Sequence, residues 1–173
     1  LVDDCTPRPG NIPAARVGTI RHHDWIELGS RRKSVIYPGD ELLLAFGERY
    51  APDQYEAAVP VDLLGIDLVA AGGVAGTVTG RHDMAPPTTL EALGLLADRE
   101  GVPLDLRRYS VLNPFGLGDH PPVITVVGTS MNAGKRTTAA SVIRGLARSG
   151  HRVAGIKITG TGAGGDPWMF RDS

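Results

Sequence analysis

The run VVGTSMNAGKRTTAA, Val126 to Ala140, constrains this chain more than any other stretch. An apolar segment, VITVVG, feeds a glycine-rich turn that passes at once into a segment of helical periodicity. In that segment Ala139, Val142, Ile143, Leu146 and Ala147 form one apolar face, and Gly150 ends it. A second apolar segment, HRVAGIKITG, follows. Strand, loop, helix and strand in this order predict a β–α–β unit, and therefore a parallel sheet. Gly128 and Gly134 let the backbone close around an anion, and the helix start aims N–H groups and its positive dipole end at the same point. Lys135 adds a mobile positive charge. Five residues separate Gly128 from Gly134-Lys135, one more than in the common phosphate-loop motif.

The rest of the chain reads as three further stretches. Residues 1–60 form a small β module: RVGTIRHHDWIEL alternates in part, and SVIYPGDELLLAF is broken by the turn Pro38-Gly39-Asp40. Short, closely spaced strands of this kind suggest a small antiparallel barrel or sandwich. Residues 61–112 read as an α/β unit. IDLVAAGGVAGTV is an apolar strand running into a glycine-rich turn, and LEALGLLADREG has Leu90, Leu93, Leu96 and Ala97 at helical spacing. Thr88 or Thr89 would cap that helix, Gly101 would end it, and VPLDLRRYSVL would supply the next strand. Residues 113–122, NPFGLGDHPP, are a linker by composition, and residues 123–173 begin a P-loop domain. The expected fold class is therefore α/β: a small N-terminal β module, a β–α–β unit, and a truncated P-loop parallel-sheet domain. The chain starts at Leu1 rather than Met and stops at Asp172-Ser173, which suggests a fragment or the ordered part of a longer polypeptide.

Length and charge narrow the function. At 173 residues the chain can bury one good core or two small ones. A net charge of -1 and the lack of a basic stripe argue against nucleic acid as a partner. No apolar run approaches the ~20 residues of a membrane span, and no signal peptide is visible. The single cysteine, Cys5, fits a reducing compartment, so a soluble cytoplasmic protein is expected.

GTSMNAGKRTTAA followed by LARSGHRVAGIK resembles the first β–α–β unit of the dethiobiotin synthetase and cobyric acid synthase class of P-loop proteins. Lys157 in GIKITG matches the lysine on the second strand of that class. The resemblance covers Val123 to Ser173 and does not extend to Leu1–Asn113. It implies an ATP-dependent (or GTP-dependent) ligase or kinase-like enzyme that makes a carboxyl phosphate on a small carboxylate substrate. Gly128, Thr129, Asn132, Ala133, Gly134, Lys135, Arg136, Thr137 and Thr138 would then form the nucleotide site, with Thr137 facing the α-phosphate. Lys135 and Lys157 would be the catalytic cations, and Mg²⁺ would fall to Thr137, Asp166 and Asp172. Arg136, however, stands where that motif has a metal-binding hydroxyl, and guanidinium cannot coordinate a cation. Relatives of the class often place sites near a dimer interface, which implies a homo-oligomer.

The same loop is also similar to an uncharacterised-domain family whose members include D-glutamate N-acetyltransferases. There too a Gly-Lys is followed by a non-hydroxyl residue and then Thr, as in GKRTT. That resemblance implies an amino-acid N-acyltransferase whose loop holds the phosphates of coenzyme A without magnesium. A third expectation is a nucleotide-sensing regulatory module.

Other constellations read more plainly. In His22-His23-Asp24 only His22 and Asp24 would share a strand face, and two ligands do not make a zinc site. Arg81-His82-Asp83 reads as a surface loop at a strand end, and Arg31-Arg32-Lys33 as a solvated basic turn. Gly72, Gly73 and Gly76 lack the spacing of a dinucleotide fingerprint. Trp168 and Phe170 are expected to pack down the glycine-rich stretch that follows Lys157.

Overall fold

A computed structural model of the chain describes residues 1–51, 53–82, 86–110, 121–160 and 163–173. The chain divides into two units, Leu1–Tyr109 and Ser110–Gly160 with Gly164–Ser173.

The first unit is built on antiparallel strands. These are β1 (Pro13–Val17), β2 (Trp25–Glu27), β3 (Lys33–Val35), β4 (Glu41–Leu43), β5 (Ala45–Phe46), β6 (Arg49–Tyr50), β7 (Tyr55–Ala58), β8 (Ile66–Ala70), β9 (Val74–Arg81) and β10 (Thr88–Leu95). Eight of them make one sheet in the order β4-β1-β10-β8-β9-β7-β6, with β5 added on β9 as the parallel pair. The other two, β2 and β3, form a separate hairpin in which Lys33 Nζ lies 4.0 Å from the ring centre of Trp25.

Period-two burial explains why these segments are strands. In β1, Pro13, Ala15 and Val17 point inward, while Ala14 and Arg16 point out. The outward Arg16 pairs across both neighbours, with Glu41 of β4 at 3.1 Å and Glu91 of β10 at 3.0 Å. Inward residues of six strands, among them Ala15, Val17, Leu68, Ala75, Leu90 and Leu95, join Ile36 and Leu44 in one core.

The expected α/β architecture is not what forms. The sheet of the first unit is antiparallel except at β5, and the helix expected at residues 90–101 is instead strand β10 and its exit. Thr88 and Leu90 are buried while Thr89 and Glu91 are exposed, which is the alternation of a half-buried strand. Gly94, at φ +136, takes a backbone conformation no helix interior allows. IDLVA is strand β8 as its apolar run suggests, but the turn after it returns as β9 in an antiparallel hairpin rather than leading to a helix. The expected strand at 102–112 holds isolated bridges at Pro103 and Asp105 and a turn of 3₁₀ helix, Leu106–Tyr109; its last two residues, and the linker core to residue 120, lie outside the described residues.

In the second unit the helix forms where periodicity placed it, α1 (Lys135–Arg148), with a second helix α2 (Gly165–Arg171). The flanking segments VITVVG and HRVAGIKITG have no strand pairing among the described residues. Ile124, Val127, Ile156 and Ile158 are all more than half exposed. A parallel strand exists only through the neighbour that takes its N–H and C=O groups, and apolar sequence does not supply that neighbour. The parallel-sheet P-loop fold is thus corrected to a glycine-rich loop and two helices, with no strand pairing beside them among the described residues.

Candidate phosphate-binding site

The loop Gly128–Gly134 reaches α1 through two left-handed residues, Asn132 at φ 60 and Gly134 at φ 81. Asparagine and glycine are the residues that tolerate this conformation, so the sequence NAGK suits a tight arch into a helix. Gly134 is the N-cap residue and has no side chain to satisfy the first amides of α1, which leaves those donors for another acceptor. Lys135 folds back over the arch, and its Nζ donates to the carbonyl of Ser130. A Cβ on Gly128 would lie 2.7 Å from Cγ of Lys135, so the glycine is what allows this fold-back.

Beyond the loop, Asp166 of α2 joins two cations. Its Oδ2 lies 2.6 Å from Nζ of Lys157, and its Oδ1 accepts from Nη1 of Arg136 at 3.3 Å. Burial works to raise the Asp166 carboxyl, but the hydrogen bonds and charges of Lys157 and Arg136 outweigh it and hold the group below the usual carboxylate range. Two residues before Lys157, Gly155 lies against both helices: a Cβ there would lie 2.9 Å from Ile143 Cδ1 and 3.0 Å from Phe170 Cβ. Phe170 thus packs at Gly155, ahead of Lys157, rather than on the glycine-rich stretch after it, and Trp168 stays 44% exposed.

The structure therefore gathers Gly128, Gly134 and Lys135 at the arch, and Arg136, Lys157 and Asp166 beside the start of α1. Thr129, Asn132 and Ala133 are exposed on the arch, and Thr137 and Thr138 are exposed in the first turn of α1, where the Thr138 amide donates to the Gly134 carbonyl. Asp172 is the exposed C-cap of α2. Six residues along a helix from Asp166, it points to a different side.

As placed, Thr137, Asp166 and Asp172 do not fit a magnesium ion. Asp166 spends both oxygens on cations, a guanidinium follows Lys135, and no group of three His, Cys, Asp or Glu suited to a metal occurs among the described residues. The arrangement suits anions: backbone donors, an ammonium on a flexible stem, and a paired guanidinium and ammonium.

His22-His23-Asp24 is not the strand end its sequence suggests: the three residues precede β2, and the two histidines join a polar cluster of the first unit. His23 is buried, with its ring 4.6 Å from His22 and 5.9 Å from Tyr55, and its Nε2 donates to the Val69 carbonyl at 3.3 Å. Burial, then the charges of His22 and Arg49, holds the imidazole at about 4. A double histidine does not reveal which ring faces inward, so no local signal singled out His23. Arg81 ends β9 and lines an open cavity of about 350 Å³ with Asp67, Val78, Thr79, Gly80 and Pro87. Asp67 is pushed up by burial, against the stabilising Val78 amide. Asp83 lies outside the described residues.

No helix among the described residues is long and apolar enough to cross a membrane. Comparison with family models, with curated proteins and with solved structures gives no match.

Proposed function

We propose that the second unit grips the phosphates of a nucleotide-type cofactor and that the protein is a cytoplasmic enzyme transferring an acyl group from coenzyme A to a small amino acid. The observation that carries this reading is the arch itself: left-handed Asn132 and Gly134 opening α1, with Lys135 folded over Gly128 onto Ser130. Loop amides and Lys135 would hold the cofactor's phosphates, with Arg136 supplying the charge that a metal ion would otherwise bring. In the transfer, the substrate amine attacks the thioester carbonyl, a C–N bond forms, the C–S bond breaks, and the amine proton ends on the departing thiolate. Magnesium has no part in this chemistry, which agrees with Arg136 standing where a metal-binding hydroxyl would follow Lys135.

A second reading, ATP-dependent or GTP-dependent phosphorylation of a small carboxylate followed by ligation, is supported by Lys157. Its Nζ already holds a carboxylate, that of Asp166, as a lysine neutralising a substrate carboxylate would. In that step a substrate carboxylate oxygen attacks the terminal phosphorus and the bond to the nucleoside diphosphate breaks. A nucleotide-sensing module without turnover is the third reading and rests on the same arch.

Calorimetric titration of acetyl-coenzyme A, ATP and GTP, each with and without magnesium, separates these readings. Coenzyme A binding indifferent to magnesium supports acyl transfer. Tight binding of ATP or GTP that requires magnesium supports phosphoryl transfer instead.

A further inference from the structure

The contact between Asp166 and its two cations has a geometry that a phosphate group shares. One oxygen faces Arg136 and the other faces Lys157, as two oxygens of one phosphate would when held between a guanidinium and an ammonium. We infer that Arg136 and Lys157 form an oxyanion subsite next to the loop, and that the resident carboxylate of Asp166 gives way there to a phosphate group of the ligand. This rests on the reading of the loop as a phosphate site and adds to it a competitor within the chain.

Three observations carry the inference. Arg136 directly follows Lys135 in the first turn of α1, so the subsite begins one residue past the arch. Lys135, Arg136 and Lys157 against one carboxylate leave positive charge in excess, which a multiply charged phosphate matches better than a single carboxylate does. Asp166 is also weakly anchored. Its helix α2 has seven residues, none of them buried. An ion pair on so small an element is released at low cost.

The test is calorimetric titration of inorganic pyrophosphate, with metal chelated, into the whole chain as wild type, Asp166→Asn and Lys135→Ala. Asp166→Asn is expected to bind about five- to tenfold tighter than wild type, since the competing charge is gone. Hydrogen exchange on the wild-type protein gives a second readout that needs no variant. Amides of α2 are expected to exchange faster when pyrophosphate saturates the site. Unchanged or weaker binding by Asp166→Asn, or slower exchange in α2, would overturn the inference while leaving the phosphate site standing. If neither wild type nor Asp166→Asn binds pyrophosphate, the phosphate reading fails and the inference with it. Binding by the wild type only when magnesium is restored, and lost in Asp166→Asn, would make Asp166 a metal ligand and also overturn it.

Discussion

Gly128 and Lys135 are packed so closely that a methyl group on the glycine would lie 2.7 Å from Cγ and 3.0 Å from Cδ of the lysine. The clash falls near the root of the lysine side chain, where rotation of its far end gives no relief. Gly128→Ala is therefore expected to push Lys135 off the arch and weaken phosphate binding by about tenfold or more. Titration of pyrophosphate beside a thermal melt checks this, because the melt of the first unit should not move.

Thr88 is fully buried, and its hydroxyl does two jobs. It donates to the His23 carbonyl at 2.6 Å and accepts from the Arg21 amide at 2.8 Å. Thr88→Val keeps the shape and strands both backbone groups, for an expected loss of about 2 kcal/mol or more. Thr88→Ser should retain most of the stability, and denaturant midpoints of the two variants decide the matter.

This threonine also shows where the sequence was and was not legible. Leu90, Leu93, Leu96 and Ala97 satisfy helical spacing, yet Thr88, Leu90 and Ala92 equally satisfy the period of a strand. What decides is the partner: β10 pairs with β1 through Leu90↔Val17 and with β8 through Leu90↔Ile66, residues distant in sequence that no local window contains. By contrast, α1 was legible because its periodicity, its Gly134 entry and its Gly150 exit are all local. The arch could be read for the same reason. The pairing of Lys157 and Arg136 with Asp166 could not, since it joins residues of three separate segments that no local window relates.

His23 gives the first unit a defined acid sensitivity. Its folded value of about 4 lies below the ordinary 6.5, with burial the largest cause. The unfolded chain therefore binds more protons between these values, so stability is full above about pH 6.5 and falls as pH drops toward 4. The loss amounts to about 3 kcal/mol at most. His23→Gln should flatten this part of the profile relative to wild type, as followed by urea unfolding across that range.

Gly76 is closed in by backbone rather than by side chains. A Cβ there would lie 2.8 Å from the Ala58 carbonyl oxygen, on the strand that flanks β9. Gly76→Ala is expected to cost about 1–3 kcal/mol through displacement of β7 from β9. The thermal midpoint reports it, and an unchanged midpoint would mean the two strands separate more easily than their register implies.

Whether the arch before α1 holds phosphate without a metal ion is decided by calorimetric titration of pyrophosphate into wild type and Lys135→Ala, with and without magnesium. Wild-type binding is expected to be indifferent to magnesium and to weaken at least tenfold in Lys135→Ala. No binding, or binding that appears only with magnesium, would contradict this expectation.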